Sequence, residues 1–242
     1  MKIAVVVPAF NEEKSIADVV NNINLIAKEN NLQLDVVVVN DCSTDSTAEI
    51  ISALNCIALY LPINLGIGGA VQTGFKYAFA NDYDFAIQID GDGQHPAEEI
   101  PELLKTAVDE QYDVLIGSRF ISNQGFQSSA IRRFGINYFK NLIRLLVDVT
   151  INDNTSGYRV LGKKALEIVS EYYPDEYPEP EAIVMFSLLK LKIGEKAVTM
   201  KERQGGVSSI GKFASVYYMF KVSLAIVFTF TRIKNKSLIL KK

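Results

Sequence analysis

Short apolar runs alternate with helix-length periodic stretches along the first half of the chain. "KIAVVVP" is an unbroken β-branched run, and Glu13–Glu29 carries apolar residues at helical spacing. "LDVVVVND" is followed by a helix over Asp45–Leu54, "CIALYL" by a helix over Gly68–Ala80, and "FAIQID" by a helix over Ala97–Glu110; "DVLIGS" closes the series. Runs of Val and Ile without polar alternation suit parallel strands covered on both faces. Strands alternating with helices give βαβ units with right-handed crossovers. The predicted fold class is α/β, a mostly parallel sheet flanked by helices. The second half is less regular. Residues 121–130 read as a loop, and Ile131–Val149 as a helix carrying Arg132, Arg133, Lys140 and Arg144. Then come "INDNTSGYRVL", a helix from Lys163, the segment "YPDEYPEPEAIV", a helix to Leu191 and a strand near Glu195–Met200. "KERQGGVSSIGK" reads as a flexible basic loop before an apolar tail.

In parallel sheets, ligands sit beyond the carboxyl ends of the strands. Those ends are "PAFNEE", "NDCSTDST", "PINLGIGG", "DGDGQHP" and "GSRF". Four are polar, glycine-rich or acidic, and the fifth carries Arg119. Asp90 and Asp92 stand two residues apart where an apolar strand stops. Two such carboxylates cannot both be buried and ionised without a counter-charge. A divalent cation resolves the conflict; oxygen ligands favour Mg²⁺ or Mn²⁺, which retain waters and engage phosphates. The pair reads as a metal clamp for a diphosphate. The alternative, a solvated acidic turn, leaves the gathering of polar strand ends unexplained. Other phosphate chemistries fail on spacing. In "GAVQTGFK" Phe75 separates Gly74 from Lys76, so no P-loop forms. "VVVPAFNEE" has no glycine for a dinucleotide turn. His95 is the chain's single histidine, which excludes a Ser-His-Asp triad and zinc-hydrolase ligation; it reads as a loop hydrogen-bonder or nucleotide contact.

The length of 242 residues suits one α/β domain, with or without an appendage. With 48% hydrophobic and 22% charged residues, a sizeable core is expected and global disorder is not. Cys42 and Cys56 fit neither a zinc site nor a disulfide framework, which points to a reducing, cytoplasmic setting. The first residues read as a strand rather than a signal peptide. Charge divides the chain. From Lys212 onward there are seven basic residues and no acid; residues 1–211 hold eighteen basic and 28 acidic, a net −10. That acidity argues against nucleic-acid binding. Within the tail, "FASVYYMFKVSLAIVFTF" is interrupted by Lys221 and falls short of the ~18–20 apolar residues that span a bilayer. Two readings stand: a basic amphipathic helix on an anionic membrane surface, or a helix docked on the core or a partner. The expected division is 1–211 as a catalytic domain (1–120 and 121–211) and 212–242 as a membrane-associating tail.

"VVVPAFNEE", "VNDCSTDST", "NLGIGGAVQTG", "QIDGDGQHP", "GSRF", "DNTSGYRVL" and "RQGGVSS" occur in the order seen in family 2 glycosyltransferases. The chain resembles the subgroup of dolichyl- and polyprenyl-phosphate sugar transferases from residue 3 to about 212. The resemblance implies a GT-A nucleotide-binding fold and inverting transfer from a nucleotide sugar, UDP- or GDP-linked. By the same resemblance Pro8, Ala9 and Glu12 hold the nucleotide, Asp41 and Asp45 contact base and ribose, and Gly66 and Gly69 lie in the glycine loop. Asp90, Asp92 and Gln94 match the pattern that binds metal and diphosphate. Arg119 and Arg133 fall near residues that meet donor or acceptor phosphates. Ser156, Gly157 and Arg159 match an "SGFR" element, and Arg203 and Ser208 a loop that closes over the site. Ile67 and Asn137 depart from the pattern, where relatives have lysine and serine. "YPEPEAIV" supplies Glu179 and Glu181 at the start of a helix, where the resemblance implies a carboxylate base and where capping and the helix dipole equally favour an acid; Glu181 is taken over Glu179 because it lies nearer the helix. The acceptor is polyprenyl phosphate or, alternatively, a lipid-linked saccharide hydroxyl; a non-catalytic nucleotide-sugar-binding module is the reading from another class. A homo-oligomer or a small membrane partner would strengthen a marginal anchor by avidity.

Overall fold

The computed structural model describes residues 1–122, 130–201 and 214–239. Seven strands form one mixed sheet: β1 (Ile3–Ala9), β2 (Leu34–Asn40), β3 (Ile57–Tyr60), β4 (Phe85–Gln88), β5 (Val114–Ser118), β6 (Arg159–Gly162) and β7 (Ile193–Ala197). Their order is β3-β2-β1-β4-β6-β5-β7. All pairs are parallel except those made by β6, which runs antiparallel to both β4 and β5. Strands β1, β2, β4 and β5 therefore end on one edge, and the polar strand ends meet there. The antiparallel β6 is the departure from a purely parallel sheet. It lets β4 and β5 stay parallel while they flank a strand that returns from the site edge.

Alternate residues of the sheet enter two cores. Ile3, Val5 and Val7 of β1 face α1 (Ile16–Glu29), α2 (Thr47–Ser52) and α4 (Ile100–Asp109). Ala4 and Val6 face the side covered by α3 (Gly66–Ala80), α5 (Ala130–Val147), α6 (Lys163–Glu171), α7 (Pro178–Leu188) and α8 (Ala214–Ile239). Both faces of β1 are fully buried, which is why its sequence lacks polar alternation. The helix over 97–110 opens with a 3-10 turn before α4 begins, with Pro101 inside its first turn.

The tail joins this core. Val222 and Ile226, one turn apart on α8, are fully buried in the cluster that holds Phe139 and Ile143 of α5 and Ala182 to Phe186 of α7. The outer face stays uncovered: Tyr217 and Phe220 are each 64% exposed and Phe228 66%. On neighbouring α5, Phe134 is 67% exposed and Leu145 81%. Tyr138 and Ser223 join the two helices through their hydroxyls at 3.1 Å. Neither helix contains an acidic residue. Among the described residues no helix is long and apolar enough to cross a membrane.

Candidate active site

The ends of β1, β2 and β4 and the start of α3 enclose an open cleft of roughly 630 Å³. Pro8, Ala9, Glu12, Asp41, Gly66, Asp90 and Asp92 all line it. Glu12 is set by its own amide, which donates to Thr47 Oγ1 at 2.8 Å, while its Oε2 accepts from Ser15 Oγ at 3.0 Å. Asp41 is nearly buried. Its carboxylate accepts from the Leu65 and Gly66 amides at 2.7 and 2.9 Å. It thus fixes the turn that launches α3 as well as lining the cleft. Asp45 is not among the lining residues. It sits before α2, accepting from the Thr47 amide and hydroxyl and from the Glu13 amide. Burial opposes its ionisation, but those hydrogen bonds outweigh burial and hold its pKa below the usual carboxylate range.

The acidic loop leaves β4 at Gln88. The Asp90 amide donates to His95 Nδ1 at 3.0 Å, so that nitrogen is an acceptor and the proton belongs on Nε2. Nε2 in turn lies 3.8 Å from Asp90 Oδ2. The imidazole is stacked on Tyr158, with ring centroids 4.9 Å apart, and Tyr158 donates its hydroxyl to Pro96 O. Both ring nitrogens of His95 therefore face Asp90, the loop-positioning role rather than the chemical one. Asp92 is 2% exposed, and its Oδ1 accepts the Gln94 amide at 3.0 Å. Gly157 packs beside the Gln88 and Asp90 side chains. A Cβ there would lie 2.9 Å from Gln88 Nε2 and 3.1 Å from Asp90 Oδ1, so a larger residue would have to move those two side chains. The donor set is oxygen alone. Among the described residues no group of three or more His, Cys, Asp or Glu side chains is gathered to hold a metal. Asp90 and Asp92 fit a magnesium- or manganese-type ion that takes its remaining ligands from phosphate and water.

Other residues singled out by sequence have structural partners. Arg119 is buried and bidentate on Asp153, Nε to Oδ2 and Nη2 to Oδ1 both at 2.7 Å. Asp153 is held in turn by its own amide on Glu195. Ser156 Oγ donates to Gly117 O at 2.6 Å and accepts from the Tyr158 amide. Arg159, 1% exposed, donates to Ser156 O and Glu179 O. Gly69 lies in α3 one turn ahead of Thr73, whose hydroxyl donates to its carbonyl. Arg133 lies elsewhere: it lines a second pocket of roughly 220 Å³ with Phe120, Ile136, Asn137, Lys140 and Asn152. Phe120 follows β5, so this pocket opens on the same edge of the sheet as the cleft. Arg203 and Ser208 lie outside the described residues.

Glu181 is not among the residues that line the cleft. It sits in the first turn of α7, 9% exposed, and its Oε1 accepts a hydrogen bond from Thr229 Oγ1 of α8. Burial pushes its pKa up, against the pull of Thr229 and the Arg232 charge. Sequence reasoning did not find Asp153, Glu195 or Thr229. Asp153 left a faint signal: a buried arginine needs an acid, and "INDNTSG" supplies one, but the 34-residue separation conceals the pairing.

The comparisons accord with this geometry. A family model described as "Glycosyl transferase family 2" matches residues 4–169. A UDP-N-acetylglucosamine–dolichyl-phosphate N-acetylglucosaminyltransferase of Methanococcus voltae is 30% identical over 213 residues, covering 80% of this chain and 83% of its own. A polyprenol monophosphomannose synthase of Mycolicibacterium smegmatis is 27% identical, covering 90% and 84%. Glucosyl-3-phosphoglycerate synthase from Mycobacterium tuberculosis, crystallised with Mn²⁺, UDP and phosphoglyceric acid, shares the GT-A fold: its TM-score is 0.67 at 18% identity, over 96% of this chain and 78% of that one. With seven motifs in order, a mixed sheet whose strand ends enclose an acidic cleft, and a family match over most of its length, the chain belongs to glycosyl transferase family 2.

Proposed function

We propose that this glycosyltransferase is inverting and metal-dependent, and moves a sugar from a nucleotide diphosphate sugar to polyprenyl phosphate at the cytoplasmic face of a membrane. One observation carries the proposal: the acidic cleft and the basic pocket of Arg133 and Lys140 open on one edge of the sheet, beside two acid-free helices with exposed aromatic faces. The names of the two relatives, one a dolichyl-phosphate and one a polyprenol transferase, support the acceptor class. A uridine donor accords with the first of them.

In this reading Asp90 and Asp92 hold the ion, and Asp41 holds the 64–66 turn against the nucleotide. A divalent cation bound there supplies Lewis-acid stabilisation of the leaving diphosphate. Arg133, Lys140 and Asn137 position the acceptor phosphate. Its oxygen attacks the anomeric carbon opposite the leaving group; the bond from that carbon to the diphosphate breaks, and the nucleoside diphosphate departs with the electron pair. Configuration inverts. A phosphate is already ionised near neutral pH and needs no base, which accords with Glu181 being engaged by α8. Arg203 and Ser208 are assigned to site closure by motif alone. The exposed faces of α5 and α8 rest on anionic lipid, apolar residues inward and Arg144 and Lys234 toward headgroups.

The test is transfer from labelled UDP-N-acetylglucosamine, UDP-glucose and GDP-mannose to polyprenyl phosphate in detergent. A lipid-linked product that needs Mg²⁺ or Mn²⁺, disappears in Asp92→Ala and has a raised acceptor KM in Arg133→Ala supports the proposal. Transfer solely to hydroxyl acceptors, or no transfer from any donor, overturns it.

A further inference from the structure

Glu181 is a buried acid that the reaction above does not use, and burial of a carboxylate stabilises a fold less than an apolar side chain of its size would. What it touches is specific. The segment 172–181 is clasped along α8 at three places. Glu181 accepts from Thr229; Arg232 lies over the Tyr172 ring at 4.0 Å; Lys221 pairs with Glu176, next to an edge-on contact of Tyr177 with Tyr218 at 5.0 Å. From Tyr218 to Arg232 is about 21 Å of helix.

The other side of the same segment meets the donor cleft. Asp175 O accepts the Gly68 amide at 3.1 Å, in the first turn of α3, where Gly66 and Ile67 line the cleft. Glu179 O accepts Arg159 Nη2 at 2.7 Å, and Arg159 Nε donates to Ser156 O, the carbonyl preceding Gly157 beneath Asp90. Ten residues thus have α8 on one side and, on the other, the first turn of α3 and Arg159, each next to residues that line the cleft.

We propose that Glu181 is a positioning residue: by gripping Thr229 it seats segment 172–181 between α8 and α3, so that docking of the C-terminal helix sets the shape of the nucleotide cleft. The inference rests on the reading of that cleft as the donor site. It makes the helix a determinant of donor affinity, in addition to any part it has in reaching lipid. A base at the same position would act on the acceptor and leave donor affinity alone.

The test uses the full chain in detergent, with UDP plus Mn²⁺ as the binding probe, donor kinetics, and amide exchange over residues 64–72. Glu181→Ala and Thr229→Val are each expected to raise the UDP Kd and the donor KM about tenfold, within the usual range of coupling between linked sites, with kcat at saturating donor within about twofold. Exchange at Gly68 should quicken in both. Glu181→Gln keeps an acceptor for Thr229 and should restore wild-type donor KM and exchange. A collapse of kcat in Glu181→Gln with unchanged UDP affinity would overturn the proposal in favour of a base. Wild-type Gly68 exchange and donor KM in Thr229→Val would overturn it outright. If the wild type fails to bind UDP, the nucleotide reading falls, and the exchange data alone still decide the coupling.

Discussion

Removing the Asp153 carboxylate should cost this fold more than any other single truncation at the edge of the site. Arg119 and Asp153 are 5% and 0% exposed, and three hydrogen bonds reach the carboxylate from Arg119: Nε and Nη2 at 2.7 Å and the backbone amide at 3.0 Å. Asp153→Ala leaves the guanidinium buried without its counter-charge, and breaking one side of a buried pair costs about 3–5 kcal/mol. For a chain of this length each kcal/mol moves Tm by roughly 2–4 °C, so a fall of about 10 °C is expected in calorimetry, with a matching shift of the urea midpoint. The double variant Arg119→Met, Asp153→Leu removes both charges and should recover most of the loss. The reasoning is refuted if Asp153→Ala loses less than about 1 kcal/mol, or if its main effect is on substrate KM. Either result would mean that the pair with Asp153 is not the chief role of Arg119.

Three further outcomes are expected. Gly68→Ala places a Cβ 2.1 Å from Asp175 O; two backbones must separate, and urea melts should show a loss of about 1–3 kcal/mol together with weaker UDP binding. Glu181 has a folded pKa raised by burial, so the folded state takes up a proton that the unfolded state releases. Its penalty is absent below the unfolded pKa and grows as pH rises through the folded one; Glu181→Gln should therefore raise Tm at neutral pH, and the difference should vanish in acid. Leu145→Glu with Phe228→Glu adds charge to the exposed apolar faces, and should abolish flotation with anionic vesicles while leaving Tm within about 2 °C, since surface changes away from specific contacts are nearly neutral.

Much of this was legible in the chain. The apolar runs marked β1, β2, β4 and β5 because strands buried on both faces cannot alternate, and a shorter apolar run marked the half-buried edge strand β3. The acidic pair could be placed because parallel strands present ligands at their carboxyl ends, and Asp90 and Asp92 do line the cleft. The four residues of β6 carried no strand signal of their own: their antiparallel pairing depends on β4 and β5, more than 40 residues earlier. Asp41 and Asp45 looked alike in sequence, yet one grips the turn before α3 and the other the start of α2. A carboxylate's partner amides are not encoded by local pattern. Glu181 was rightly placed at a helix start, where the dipole favours an acid; the helix above it lies 48 residues away. Val222 and Ile226, spaced one turn apart, held the cue that the tail has a buried seam as well as an exposed face.

Manganese-edge anomalous diffraction from crystals of the full chain grown with Mn²⁺ and UDP tests the central claim most directly. The account expects one strong peak within bonding distance of an Asp90 or Asp92 carboxylate oxygen and of a UDP phosphate oxygen, with the uridine against the Asp41 wall. Ordered UDP in the cleft with no manganese beside either aspartate, or manganese bound elsewhere with the two carboxylates turned to solvent, would contradict it.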